Sequence, residues 1–379
     1  MSNMKSEYDC PVVDGMLMSD ALTYTTSSTL SVTQIPIPIA IRDDQLLVRV
    51  KAVSINPIDA FFLRMSSYFS CSKTKVVGGD YAGTIVKAGN KTGFETGVSV
   101  YGYRLAPFSI DGTFSQYILV TPKKDILCES IPEGMTFENA AATACVAATG
   151  YGIVKFGAHK GDSTRLNENV EDALIGKKVF IIGAGTSVGS FAVQFAKHYM
   201  KADQVVVTCS ERSQKRLTDS GADVTVDYRK GDSQNINEIL KYVEANGKFD
   251  IIIECVGNTS YLDSLNYILK DPKTENGAYC TVYGINAMNL FTCSIWSLVL
   301  PSFDSIKRSL KYSVGVSRFP NHVFRLKYDP TAAPAMNKMW EAKKLHTPID
   351  SILNGWENYN AALQKVGTSK ASGKVVCTL

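Results

Sequence analysis

Residues 177–200 read KKVFIIGAGTSVGSFAVQFAKHYM. The apolar run Val179-Phe180-Ile181-Ile182 has the composition of a buried strand, and it runs directly into Gly183-Ala184-Gly185-Thr186-Ser187-Val188-Gly189. Apolar residues then recur at helical spacing, so the segment predicts a strand, a turn and a helix in immediate succession. Gly183, Gly185 and Gly189 let the backbone turn tightly and come close to a ligand. The free amides at the helix start supply positive potential for a diphosphate. The spacing departs from Gly-x-Gly-x-x-Gly, and the hydroxyls of Thr186 and Ser187 fall where they could donate to phosphate oxygens. The competing reading is a plain strand-to-helix turn with a serine N-cap.

Working outward, the same alternation continues. Strands QVVVTCS, DVTVDY, FDIIIECVG and GAYCTVYG are separated by the helical stretches RSQKRLTDS, NINEILKYVEAN and TSYLDSLNYILK. Continuous apolar strands alternating with helices predict a doubly wound parallel sheet covered on both faces. Upstream, from Gln45 to about Val120, short β-like runs broken by Gly and Pro predict a small barrel or sandwich. Between the two, TFENAAATACVAATGYGIVKF is Ala-rich and reads as a helix, and the terminal KVVCTL reads as a strand able to pair back with the first region. At 379 residues, two domains of unequal size are expected.

The end of the strand after the phosphate turn decides which dinucleotide is favoured. An acid there accepts from the ribose hydroxyls and repels a 2′-phosphate. The chain reads Cys209-Ser-Glu-Arg-Ser-Gln-Lys-Arg216, placing Ser210 at the strand end with Arg212 and Lys215 following. A hydroxyl and two cations favour NADPH. Glu211 dissents, since turned inward it would favour NADH. The bland reading of Arg212, Lys215 and Arg216 is a solvated helix face.

A net charge of +4 with no basic block gives no reason to expect nucleic acid. Nine scattered cysteines without a CxxC argue against a disulfide framework and a structural zinc cluster, and fit a reducing, cytoplasmic setting. The first histidine is His159, and the four in the chain lie in unrelated contexts, so no metal is expected. The N-terminal residues lack the features of a secretory or transit leader. Residues 290–300, LFTCSIWSLVL, are about half the length of a membrane-spanning helix; they are read as a buried or interfacial helix, with peripheral membrane contact as the functional alternative.

These motifs together resemble the zinc-independent quinone oxidoreductase, or zeta-crystallin-like, branch of the medium-chain dehydrogenase/reductase superfamily, and fungal members in particular. The resemblance is carried by VKAVSINPIDA, GGDYAGTIVKAG, GTFSQYILV, IPEGMTFENAAATACVAATGYG, the GAGTSVG turn, GADVTVDY, FDIIIECVG and SGKVV, in that order over almost the whole chain. It implies a GroES-like β-rich substrate domain at 1–137 and 319–379 and a Rossmann domain at 138–318. The implied activity is hydride transfer from NADPH to a small-molecule acceptor, a quinone or an α,β-unsaturated carbonyl, without zinc. The resemblance further implies that Thr186, Ser187 and Val188 hold the diphosphate, and that Ser210, Arg212 and Lys215 surround the 2′-phosphate. Tyr228 would pack beside the adenosine, and Thr149, Val256, Gly257 and Tyr283 would line the ribose and nicotinamide. Asn56 and Tyr68 fall in the segment that faces nicotinamide in relatives, and are the candidates to polarise the acceptor and donate a proton. Relatives dimerise through an edge strand, so the resemblance implies a homodimer, and the insertion at 285–312, which falls near that strand, counts against it. The alternative function is a catalytically weak member acting as a cofactor-binding sensor or a trafficking factor at mitochondria or lipid droplets.

Overall fold

The computed structural model describes residues 10–25, 30–65, 74–105, 112–165, 167–282, 307, 310–312, 314, 317–356, 358–367 and 371–379. Among these, one compact unit takes in everything up to Cys145 and from Thr347 onward, and the other runs from Val146 to His346.

The chain opens with β1 (Val12–Val13), β2 (Met16–Tyr24), β3 (Leu30–Pro36) and β4 (Leu46–Ile55). These are followed by α1 (Pro57–Met65), β5 (Lys75–Val76), β6 (Asp80–Ala88), β7 (Ser99–Tyr103), β8 (Tyr117–Val120) and β9 (Leu127–Ser130). Next come α2 (Phe137–Ala158), β10 (Lys178–Ile182), α3 (Ser187–Gln194), β11 (Gln204–Cys209), α4 (Glu211–Asp219), β12 (Val224–Asp227), α5 (Asp232–Asn246), β13 (Ile251–Glu254) and α6 (Leu265–Ile268). The series ends with β14 (Ala278–Thr281), β15 (His322–Val323), α7 (Ala332–Glu341), β16 (Ile349–Asn354), α8 (Tyr359–Gly367) and β17 (Lys374–Thr378).

In the first unit a seven-stranded sheet has the order β16-β17-β4-β6-β7-β9, with β8 also on β4, and a smaller sheet joins β1, β2, β3 and β5. The terminal strand does return as expected: β17 lies antiparallel to β4, with Val376 opposite Ser54. Strand β4 is the longest strand of this sheet and lies in its interior, and Leu46, Val48, Val50, Val53 and Ile55 all enter one core with Tyr81, Phe114 and Tyr359.

The second unit holds a six-stranded sheet, β12-β11-β10-β13-β14-β15, parallel throughout. Strand order reverses between β10 and β13, and in open sheets of this kind ligands bind outside the strand ends at that reversal. Helix α2 starts where the sequence indicates, with Thr136 Oγ1 accepting from the Asn139 amide at 3.2 Å.

Two elements differ from the reading above. Residues 319–346, expected to return to the β-rich unit, lie in the sheet unit. There β15 pairs with β14, and buried Lys155 on α2 holds Asp329 at 3.0 Å. The stretch TSYLDSLNYILK gives only a 3₁₀ turn and α6. The helix stops because Leu269 turns extended and the chain bonds back to Phe249 at the foot of β13, through Phe249 N to Ile268 O and Lys270 N to Phe249 O. Among the described residues no helix is long and apolar enough to cross a membrane.

Candidate functional site

The turn after β10 is fixed by its neighbour strand: Gly183 N donates to Thr208 Oγ1 at 2.9 Å and Ala184 N to Thr208 O at 3.0 Å. Gly183 has φ of +81°, and a Cβ there would meet Val256 Cγ1 at 2.4 Å. One at Gly189 would meet the Gly183 carbonyl at 2.5 Å. The protein's own packing demands both glycines. Gly185 is different. Its φ lies outside the left-handed region, and the nearest atom to an added Cβ is Ser213 Oγ at 3.4 Å. Neither strain nor a clash accounts for a glycine here, since an added Cβ would make only ordinary van der Waals contacts.

Thr186 caps α3, its Oγ1 accepting from Gly189 N at 3.1 Å and donating to Gly183 O at 2.9 Å, while its own amide donates to Gly183 O at 3.1 Å. It therefore spends its amide and hydroxyl inside the turn, which corrects the expectation that Thr186 donates to a phosphate. The N-cap is this threonine and not the serine of the competing reading. The amides of Gly185, Ser187 and Val188 and the Ser187 hydroxyl have no acceptor among the described residues. The Ser187 and Val188 amides are what the first turn of a helix offers an anion, and the Gly185 amide just before the cap adds a third free donor.

At the end of β11, Ser210 is buried, with its Oγ 3.5 Å from Ser213 Oγ. Arg212 is exposed, and Lys215 points to solvent and pairs with Asp219 at 2.8 Å. Glu211, the residue that would favour NADH if turned inward, has a side chain 79% exposed and held by Arg229 at 3.1 Å. Arg229 also grips Asp227 through two bonds of 3.0 and 2.7 Å, which lower the Asp227 carboxyl to about 2. Tyr228 is 52% exposed beside this cluster. Sequence reasoning missed Arg229, although its position directly after the strand-end tyrosine was a usable signal. It also missed Arg216, which donates to Ser190 Oγ at 2.8 Å and to the Gly185 carbonyl at 3.3 Å.

The loop after β13 is held by Glu254. This buried carboxylate accepts from the amides of Val256, Gly257 and Asn258 at 2.7, 2.8 and 2.9 Å, and from Thr281 Oγ1 at 3.0 Å. Burial raises its pKa, and the bonds from the three amides and Thr281 oppose that rise. Val256 is thereby brought beside Gly183, and Thr149 is buried on α2. Tyr68, Tyr283 and residues 290–300 lie outside the described residues.

In the first unit Asn56 is buried and its carboxamide engaged: Nδ2 donates to Asp80 Oδ2 at 2.7 Å, and Oδ1 accepts from Lys374 Nζ at 2.6 Å. One amide proton remains for an acceptor. Asp59, two residues into α1, accepts from the Asn56 amide at 2.7 Å and borders a cavity of about 20 Å³, room for roughly one water. The unit contains no histidine, and among the described residues no group of three or more His, Cys, Asp or Glu is placed to hold a metal ion.

Two family matches fall on the two units, Alcohol dehydrogenase GroES-like domain on residues 42–133 and Zinc-binding dehydrogenase on residues 187–290. Protein YIM1 of Vanderwaltozyma polyspora is 30% identical over 377 residues, 95% of this chain and 99% of its own. The chain belongs to the medium-chain dehydrogenase/reductase superfamily. Solved structures agree on the fold of this medium-chain dehydrogenase/reductase. A quinone oxidoreductase from Coxiella burnetii superposes with TM-score 0.66 at 18% identity, covering 96% of this chain and 99% of that one. A mycobacterial protein, Rv1454c, solved in complex with NADPH, gives 0.66 at 17%, covering 95% and 100%. The superfamily consists of oxidoreductases that bind NAD(P). The zinc in the name of one matching family finds no ligand set among the described residues.

Proposed function

We propose that this protein transfers hydride from NADPH to a quinone or to the β-carbon of an α,β-unsaturated carbonyl, without zinc. The observation that carries the reading is the β10–α3 turn, where the amides of Gly185, Ser187 and Val188 have no acceptor among the described residues and neither strain nor a clash explains the glycine at 185. The residues fit a dinucleotide: Gly185, Ser187 and Val188 receive the diphosphate, with Gly183 and Gly189 shaping the turn. Ser210, Arg212 and Lys215, now joined by Arg229, meet the 2′-phosphate. Tyr228 flanks the adenosine, and Thr149, Val256, Gly257 and Tyr283 line the ribose and nicotinamide. Arg229 holds the exposed Glu211 carboxylate rather than leaving it turned inward, which lessens the electrostatic objection to NADPH over NADH. When bound, NADPH supplies the hydride, so the protein's part is to position both reactants, exclude water and offset charge developing on the acceptor oxygen. The free amide proton of Asn56 and the Tyr68 hydroxyl are assigned that last task.

The direct test follows NADPH oxidation with a panel of quinones and enones; no acceleration above background with any acceptor would remove the catalytic reading. Two substitutions test the cradle and the selectivity. Gly185→Ala places a methyl where the protein tolerates it, so stability should stay within about 0.5 kcal/mol while the NADPH Kd rises at least about tenfold. Equal affinity would mean that the turn is only a turn. Arg212→Ala should weaken NADPH about tenfold and leave NADH unchanged, as read by parallel fluorescence titrations.

A further inference from the structure

The diphosphate turn receives more than glycines and helix amides. Arg216 reaches it from the second turn of α4, on the helix face that also buries Ser213 and Leu217. Its Nη1 donates to Ser190 Oγ at 2.8 Å, inside the first turns of α3, and its Nη2 to the Gly185 carbonyl at 3.3 Å. The guanidinium is half-buried and has no carboxylate partner among the described residues. A desolvated, unneutralised cation is costly unless its surroundings use it. Burial accordingly lowers the Arg216 pKa.

We propose that Arg216 is the positioning residue of the dinucleotide cradle, holding the Gly185 carbonyl away from the bound diphosphate and fastening the start of α3 to α4. This rests on the reading of the β10–α3 turn as a dinucleotide site. The physical case is one of sign. A carbonyl oxygen facing a diphosphate repels it, and Gly185, lacking a side chain, has the freest peptide in the turn. A guanidinium has the fork geometry to fix that carbonyl and a hydroxyl at once, and it adds a positive charge behind the amides that meet the anion. A lysine at 216 offers a point charge that cannot hold both partners in fixed directions.

The test uses the purified full-length protein and three probes: NADPH, ADP-ribose and adenosine 2′-monophosphate, the last lacking a diphosphate. In Arg216→Met the Kd for NADPH and ADP-ribose should rise about tenfold, and that for adenosine 2′-monophosphate should stay within about twofold. Arg216→Lys should recover part of the loss. Ser190→Ala removes only the Nη1 acceptor and should show a smaller loss of the same selectivity, which keeps the question open to measurement if Arg216→Met fails to fold. Equal weakening of all three probes would make Arg216 a general structural residue, and unchanged ADP-ribose binding would overturn the proposal outright. A wild type that binds none of the probes would instead remove the dinucleotide reading on which it rests.

Discussion

Lys374→Met should destabilise the protein by about 3–5 kcal/mol, the range found when one partner of a buried ion pair is removed. The Lys374 ammonium is buried in the first unit and donates to Asp80 Oδ2 at 3.0 Å, Asn56 Oδ1 at 2.6 Å and the Ile55 carbonyl at 3.2 Å. Asp80 is fully buried, and its remaining contacts are the neutral donors Ser54 Oγ at 2.6 Å, Asn56 Nδ2 at 2.7 Å and Cys145 N at 2.9 Å. Without the ammonium the carboxylate keeps its hydrogen bonds and loses its only close counter-charge among the described residues. Methionine retains most of the volume, so the effect isolates charge from packing. The double variant Lys374→Met, Asp80→Asn should recover at least about half of the loss, because no uncompensated charge then remains. Urea unfolding of the wild type, Lys374→Met, Asp80→Asn and the double variant measures both quantities. A single-variant loss under about 1 kcal/mol would show that the pair is not carrying the terminal strand.

Legibility in the sequence follows the distance over which each feature is determined. The strand, turn and helix at 177–200 are local, set by β-branched content, glycine and periodicity, and the parallel sheet follows from repeating that pattern. The terminal KVVCTL strand was equally readable, because an apolar strand at the chain end must pair with something. The side chain of Lys374 was not: its partners lie 318 and 294 residues away, and a lysine opening a strand looks like any surface lysine. Arg216 failed for a related reason. Among Arg212, Lys215 and Arg216 only the last shares a helical face with buried Ser213 and Leu217, and the i, i+3, i+4 spacing held that signal. Thr186 shows a different limit. Its hydroxyl was read as a ligand donor when the helix it begins had first claim on it, a competition between cap and ligand that sequence does not arbitrate. The shortened α6 shows another, since its helical stretch yields to pairing with Phe249.

Asp59→Asn should stabilise the protein at pH 8 by on the order of 4 kcal/mol and leave stability at pH 4 nearly unchanged. Burial pushes the Asp59 carboxyl up to about 7, and the bond from the Asn56 amide and the charge of Lys374 only partly oppose that rise, while Asp80 adds to it. The groups around it are Asp80 on β6, Lys374 on β17, Arg104 and Tyr103 along the cavity, and the buried Tyr359 of α8, whose hydroxyl also feels the Asp59 charge. A carboxyl whose folded pKa exceeds the unfolded value near 4 binds its proton more tightly in the folded chain. Its favourable contribution is complete below about pH 4 and is lost as pH rises through about 7. Asparagine keeps the oxygen that accepts from the Asn56 amide and never ionises, so the helix start survives and the slope disappears. Comparing wild type with variant at each pH cancels the titration of every other group. The readout is therefore the difference in unfolding free energy as a function of pH, flat to about pH 4 and rising to a plateau above about pH 7. A difference that stays constant across this range would mean that Asp59 titrates as an ordinary surface carboxylate, and that the one-water cavity beside it already solvates the charge.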